Sequence, residues 1–159
     1  MFRRLLPLLA LAAPALLLAA DEKKPPEFTA HTGHFEKNTA GLKGDVSLLL
    51  LTDEDAFGKV FGTVPPAGLG GGVRKNNPVT KEVFEKNVVA AVIRRGKAIT
   101  TYTEVSTKTD GETLTVSFKS EAGKEGTATF ASPLIVALPK GKITRVVFVE
   151  NGKEIGTAK

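Results

Sequence analysis

The order of apolar and polar positions along this chain predicts a protein built mainly from β-strands. The clearest segment is 88–93, six apolar residues in a row of which four are β-branched. It lacks the polar face that an amphipathic helix would show, so it predicts a strand buried on both faces. The run ends at Arg94, Arg95 and Gly96, which we interpret as a solvated turn leading into a hairpin.

The rest of the chain continues in short segments of the same kind. Residues 99–105 and 113–118 alternate with period two, which places successive side chains on opposite faces of a strand. The Asp-Gly pair at 110–111 and the Asn-Gly pair at 151–152 are typical of two-residue hairpin turns. Pro133 interrupts an apolar run and cannot donate a ladder hydrogen bond, so it predicts a bulge or an edge position.

Two short helices are predicted, near 53–61 and 79–86. For the first, Thr52 is the expected N-cap, and the acidic residues 53–55 suit the positive end of the helix dipole. Gly62 is placed to end this helix. The acidic run is therefore explained by capping and does not require a metal.

These elements predict a mainly β fold. Strands joined by short connections usually pair antiparallel, so we expect an antiparallel β-sandwich or an open barrel or meander, with the two short helices. We divide the chain into residues 1–20, a lead over 21–27 that we expect to be disordered, and a single β-rich domain over 28–159.

The first twenty residues differ from the others and predict a signal peptide. Two arginines are followed by an apolar run and a small-residue end, with cleavage expected after Ala20 or, alternatively, Ala19. A membrane anchor is the competing interpretation, but Pro7 and Pro14 break a run that is already short for a span. The chain has no cysteine, which excludes a lipoprotein. We expect an exported protein, periplasmic or extracellular, whose mature form does not span a membrane.

Composition narrows the possible ligands. Loss of residues 1–20 removes two arginines and lowers the formal net charge from +5 to about +3, spread over scattered lysines. Nucleic-acid binding, which needs a clustered basic patch, is not expected. The chain has no Trp and one Tyr, so carbohydrate binding, which uses flat aromatic rings, is disfavoured.

Candidate catalytic and metal-binding groups are few. His31 and His34, the two histidines, would point to opposite faces of a strand, and we expect them to be solvent-exposed residues without a metal. No serine lies in a nucleophile motif with an obvious base. We therefore expect no enzyme activity, no catalytic residues and no cofactor.

A glycine-rich segment is the predicted partner-binding site. It has no Gly-Lys-Ser/Thr continuation and no strand-to-helix context, which disfavours a phosphate loop. Loops presented by a rigid scaffold often bind partners, here another exported protein or a second copy of the chain. The residues proposed for this contact are Leu69, Gly70, Gly71, Gly72, Val73 and Arg74.

Residues 83–149 resemble the C-terminal domain of the protease-stability-complex family. The resemblance is carried by Phe84, the apolar strand at 88–93 that ends at Gly96, the strand containing Tyr102, and the segment 132–139 with a proline near each end. The family has Thr-Gly-Gly-Tyr where this chain has Ile-Thr-Thr-Tyr. The resemblance implies an exported β-domain that contacts or stabilises other proteins, with no catalytic residues to transfer.

The sequence thus predicts an exported, non-enzymatic β-domain for protein contact or partner stabilisation. The alternative is a small-ligand carrier with an internal apolar cavity, lined by Phe118, Phe130 and Phe148. A hydrolase with unconventional residues is the third hypothesis.

Overall fold

Two four-stranded sheets face each other, and a layer of helices and short strands covers the outer face of one of them. The computed structural model describes residues 27–64 and 76–159. The elements in chain order are β1 (Thr29–His31), β2 (His34–Glu36), β3 (Val46–Leu51), α1 (Glu54–Val60), β4 (Phe61–Thr63), α2 (Val83–Lys86), β5 (Asn87–Gly96), β6 (Thr100–Asp110), β7 (Thr113–Ala122), β8 (Phe130–Pro139), β9 (Arg145–Glu150) and β10 (Lys153–Ala158).

The strand order defines sheet A and sheet B. Sheet A has the order β1-β8-β5-β3, sheet B has the order β10-β9-β7-β6, and β2 pairs with β4 in a separate ribbon. Within the described residues the sheets stay open, so the predicted mainly β fold is confirmed as a sandwich and not a closed barrel.

Strand β5 is buried on both faces, as its apolar run predicts. Its even-numbered residues Ala90 and Val92 point into the core between the sheets, and its odd-numbered residues Val89, Ala91 and Ile93 point into a second core. That second core lies under the helical layer, where α1, β4 and α2 contribute Phe57, Val60, Phe61 and Phe84. A continuous apolar strand is therefore needed because β5 lies between two cores.

The predicted hairpin after β5 is wrong. β5 and β6 lie in different sheets. The linker between them is hydrogen-bonded to the segment between β7 and β8: the Gly126 N–H donates to the carbonyl of Lys97, and the Gly123 N–H donates to that of Ile99. A short linker at the end of a sandwich can change layers as readily as it can reverse a strand. Arg94 and Arg95, expected in a turn, belong to β5 itself.

One ladder departs from the expected antiparallel sandwich, although the short-linked pairs β6–β7 and β9–β10 are antiparallel as predicted. β7 and β9 pair in parallel, from Thr113 opposite Arg145 to Phe118 opposite Glu150. The intervening β8 crosses to sheet A and pairs with β5, so it serves as the long connection that a parallel pair requires. The other ladders are antiparallel.

Both predicted helices are present, but α2 is limited to Val83–Lys86, which is shorter than the predicted 79–86, and α1 has other ends than expected. Asp53, not Thr52, is the N-cap: its Oδ1 accepts the Ala56 N–H at 2.8 Å. The helix ends at Val60 because the chain continues directly into β4, so Gly62 lies in a strand and does not end the helix. Among the described residues, no helix is long and apolar enough to cross a membrane.

Hairpins form at both predicted places, but the first turn is shifted by one residue. Asp110 pairs with Thr113 in the ladder, so the loop residues are Gly111 and Glu112, and only Gly111 has a positive φ (58°). The loop at 151–152 has positive φ at Asn151 (50°) and Gly152 (80°), as a type I′ turn requires. In β6, however, the expected period-two alternation breaks at Glu104, which has φ 49° and lies in a bulge between Thr103 and Ser106. The bulge changes the phase of the strand, so both Tyr102 and Val105 pack against the core.

Pro133 occupies a local edge, one of its two predicted settings. It lies opposite Ile93 on β5, and β1 pairs only with residues 135–137 of β8. The Lys140 N–H donates to the carbonyl of Lys86, and hydrogen-bonded and non-hydrogen-bonded residue pairs alternate along an antiparallel ladder. Pro133 and Ile93 are therefore a non-hydrogen-bonded pair, and the Pro133 nitrogen points away from β5. The missing N–H therefore costs no bond to β5.

Candidate functional site

The loop predicted to bind a partner lies outside the described residues. Residues 65–75 contain all six of its positions, Leu69, Gly70, Gly71, Gly72, Val73 and Arg74. Its role in binding a partner stays a prediction.

Strand β3 offers unpaired backbone groups at one edge of sheet A. Arg95 N–H donates to the carbonyl of Asp45 at 2.8 Å, which makes that pair hydrogen-bonded and fixes the alternation along the ladder. Ser47, Leu49 and Leu51 consequently face β5 with their backbone groups. The N–H and C=O groups of Val46, Leu48 and Leu50 point the other way. We call these outward groups the β3 edge.

The β3 edge lacks three features that usually protect an exposed edge: charge, proline and a bulge. Val46–Leu51 is uncharged, contains no proline and pairs with β5 without a register shift. By contrast, β6 is interrupted by its bulge at Glu104, and β10 has a register shift between Glu154 and Gly156. β1 is only three residues long. Since bulges and short strands discourage pairing with foreign strands, β3 is the open edge of the described fold.

The side chain of Leu48 connects β3 to β10 of sheet B. Leu48 packs across the gap onto Gly156 of β10, where an added Cβ would lie 2.8 Å from Leu48 Cδ1. This is a side-chain contact between sheets, and no ladder joins β3 to β10. Lys43 precedes the strand and Asp53 and Glu54 follow it, all of them exposed.

A second candidate surface is the polar end of the sandwich, where charged side chains close the core between the sheets. Arg94 on β5 donates from Nε and Nη2 to both carboxylate oxygens of Glu150 on β9, with 2.6 Å for the Nε bond. Burial opposes ionisation of Glu150, but hydrogen bonds from Arg94 and Ser120 and the Arg94 charge outweigh it and lower its pKa. The pair links sheet A to sheet B and leaves the end electrically balanced.

Tyr102 completes this polar end from β6. Its hydroxyl donates to the carbonyl of Ser132 at 2.7 Å, and Ser132 Oγ accepts the Thr100 N–H at 2.9 Å. Burial raises the pKa of Tyr102 to about 12, so the phenol is protonated at neutral pH and remains a donor. These bonds hold β6 against β8 and are structural in character.

Arg95 makes the matching link to the outer layer. Because successive strand residues point to opposite faces, its side chain leaves on the side away from Arg94. It donates to both carboxylate oxygens of Glu36 at 2.8 and 2.6 Å, and to Ser47 Oγ at 3.0 Å. We expected two solvated turn residues here; instead each arginine joins two layers. Sequence reasoning missed this because the carboxylates are 56 and 59 residues away.

Two open cavities adjoin these arginines. One of about 430 Å³ lies at the polar end and is lined by Arg94, Lys97, Glu125 and Glu150 among others. The other, of about 350 Å³, lies beside Glu36, Leu42 and Phe130, and Arg95 borders both. Both linings contain basic and acidic side chains, and within them Arg94 is paired with Glu150 and Arg95 with Glu36.

The histidines are buried, which corrects the expectation of exposed strand residues. His34 is 8% exposed and lies edge-on to the ring of Phe57, with 5.0 Å between ring centroids. Its Nε2 accepts the Val79 N–H at 2.8 Å, so Nδ1 carries the proton and donates to the Gly62 carbonyl at 3.3 Å. Burial and the neighbouring His31 lower the pKa of His34, although the Gly62 bond opposes this.

His31 makes a related contact with the same segment. Its Nδ1 lies 3.1 Å from the carbonyl of Asn77, while Nε2 is buried without a hydrogen-bond partner. Asn77 is also bonded to Ala30 and Thr32, so the turn between β1 and β2 holds residues 77–79 in place. Gly33, with a φ of 82°, separates β1 from β2, so the two histidines belong to different strands. This glycine between the histidines is the signal in the sequence that could have indicated a turn.

The described residues include no group of three or more His, Cys, Asp and Glu side chains arranged to hold a metal ion. The phenylalanines proposed to line a carrier cavity also separate. Phe118 and Phe148 belong to the packed core between the sheets, whereas Phe130 borders the outer cavity beside Glu36. The three therefore do not line one cavity.

Comparison of the chain with protein-family models, with curated proteins and with solved structures found no match in any of the three. The resemblance of residues 83–149 to the protease-stability-complex family accordingly stays a prediction.

Proposed function

We propose that this chain is an exported, non-enzymatic β-sandwich that holds a partner protein by accepting one of its strands at the β3 edge. In this mode of recognition, main-chain hydrogen bonds supply affinity and neighbouring side chains supply selectivity. The observation that carries the proposal is the unprotected row of outward groups at Val46, Leu48 and Leu50.

Rigidity of the scaffold supports this function. β3 is held in register by β5 along its whole length, and Leu49 and Leu51 pack into the core beneath α1. A partner strand would therefore meet a preformed template and would not have to order it, which lowers the entropic cost of binding.

The order of residues 1–20 supports export, and the electrically balanced arginines support a non-enzymatic role. Arg94 and Arg95 are both committed to carboxylates that join layers of the fold. The loop residues Leu69 to Arg74 remain a proposed second contact surface, to be tested separately from the β3 edge.

Val46→Pro tests the β3 edge. Proline removes an outward N–H but no hydrogen bond to β5, and the first residue of a strand tolerates it. We expect partner capture to fall at least about fivefold, since one lost hydrogen bond is worth about 1 kcal/mol and the ring also obstructs an approaching strand. The measurement is capture by the tagged chain, residues 21–159, from the exported fraction of its own cell.

Val46→Thr is the matched control, because it keeps both the N–H and the β-branched shape. Equal capture by the proline variant, the threonine variant and the wild type would remove the β3 edge from the proposal. Replacement of Leu69, Val73 and Arg74 by Asp addresses the loop: undiminished capture by that variant would exclude the loop as a contact surface.

A further inference from the structure

We infer that the partner of the β3 edge is a second copy of this chain, paired antiparallel about a twofold axis through Leu48. This inference rests on the proposed function of the β3 edge and specifies its partner. The twofold pair would join two copies of sheet A into one eight-stranded sheet.

The positions of the outward groups are self-complementary. Val46, Leu48 and Leu50 are alternate residues, centred on Leu48. In a twofold antiparallel pair, Leu48 lies opposite its own copy, and Val46 lies opposite Leu50. Every outward N–H and C=O of the edge then meets an acceptor or donor of the other copy, and none is left unpaired.

Charges beside the strand favour the antiparallel direction. The twofold places the segment before β3, which carries the exposed Lys43 and Asp45, beside the acidic segment 53–55 of the second copy. A parallel arrangement would instead bring together two acidic segments, Asp53, Glu54 and Asp55, all exposed. Like charges at that spacing suppress the wrong alignment.

The strand itself offers no obstacle to a copy of itself. A charged edge residue would be repelled by its twofold mate, but Val46–Leu51 contains no charge. The strands β6, β10 and β1 are bulged or short, so β3 is the edge best suited to continuous pairing among the described strands.

The first measurement is the solution mass of residues 21–159, which include every element of the described fold. The wild type and Val46→Thr are expected to be dimers at tens of micromolar. Val46→Pro is expected to be a monomer, because each substitution acts at two symmetric places in the dimer. Lys43→Glu is expected to weaken the dimer several-fold at low salt, and less at high salt.

A cysteine test locates the axis. The chain has no cysteine, so any disulfide in a single-cysteine variant must join two copies. Opposed residues in a hydrogen-bonded antiparallel pair have Cα atoms about 5.5 Å apart, within disulfide reach. Leu48→Cys should therefore form a linked dimer on mild oxidation. Leu50→Cys, on the same face, would lie roughly 14 Å from its own copy and should not.

The outcomes separate this inference from the proposed function. A monomeric wild type would overturn the second-copy partner; if Val46→Pro still reduced capture of another exported protein, the proposed function would stand. If the wild type is a monomer and the Val46→Pro variant captures as much partner as the wild type, both the second-copy partner and the proposed function are overturned. A dimer that persists in Val46→Pro, or equal linking of Leu48→Cys and Leu50→Cys, would place the interface elsewhere and overturn the inference.

Discussion

At the residue scale, the direction of hydrogen bonds determines the state of His34. Its Nε2 accepts the Val79 N–H, which requires a lone pair and therefore a neutral ring. Protonation would place two donors face to face in a buried site. Of the titratable groups, the one acting on His34 is His31, which also disfavours the charged form.

Acid should weaken the fold through His34. Because its pKa is lower in the folded than in the unfolded chain, where it is near 6.5, the stabilisation is complete above that pH and is lost as the pH falls. One extra proton bound on unfolding gives a slope of up to about 1.4 kcal/mol per pH unit. Urea unfolding between pH 7.5 and 5 should show this loss.

His34→Gln provides the comparison for the acid effect. It should be less stable than the wild type at pH 7.5 by about 1–3 kcal/mol, since it cannot serve both backbone partners, yet lose less stability on acidification. Parallel pH curves for the wild type and His34→Gln would show that another group is responsible.

Single residues also mark the limit of sequence reasoning here. Period-two alternation correctly separates the faces of β7, but it cannot tell that His31 and His34 are buried. Their burial depends on residues 77–79, more than forty positions away. The local pattern of apolar and polar residues identifies a strand. It does not identify the distant residues that pack over the strand and bury its side chains.

At the element scale, the contact between β3 and β10 depends on Gly156. Its φ of 145° is a conformation that side-chain-bearing residues rarely adopt, and Leu48 fills the space beside it. A side chain at position 156 would be disfavoured more by the backbone conformation than by the contact with Leu48, because the end of a leucine side chain can move.

Gly156→Ala should therefore destabilise the protein by about 1–3 kcal/mol, the usual cost of a strained backbone conformation. Gly58→Ala is the control. It lies within α1 with open space beside it, and alanine there should stabilise the protein by roughly 0.5–1 kcal/mol. Thermal unfolding of both variants measures the difference. A similar small change at both positions would contradict the strain at Gly156.

The element scale also explains why the arginines were misassigned. Residues of the type Arg-Arg-Gly-Lys after an apolar run are typical of a turn, and the strand was expected to end at Ile93. The strand continues to Gly96, and on its two opposite faces Arg94 forms an ion pair with Glu150 and Arg95 forms one with Glu36. The fold class followed from local patterns, whereas this extension depends on partners from distant strands.

At the scale of the whole molecule, three layers share one central strand. β5 pairs with β3 and β8 on its two sides and faces a core above and below. Val89, Ala90, Val92 and Ile93 are completely buried. A strand in that position can open only when the molecule unfolds.

Amide hydrogen exchange should therefore be slowest in β5, at the rate set by global unfolding. The ribbon formed by β2 and β4 should exchange faster, because it is short and lies at the periphery. Exchange followed by mass spectrometry of peptides measures this ranking. Protection of β5 no greater than that of the ribbon would contradict a single cooperative three-layer unit.

The pairing of β1 with β8 has a consequence for how the chain reaches this structure. Thr29–His31 meet residues 135–137, so sheet A is completed only when chain segments more than a hundred positions apart come together. Closing such long loops costs entropy before any contact repays it, and proteins rich in distant pairings fold in milliseconds to seconds, not microseconds. We therefore expect refolding after dilution from denaturant to take on the order of milliseconds to seconds, with sheet A completed only when β1 reaches β8.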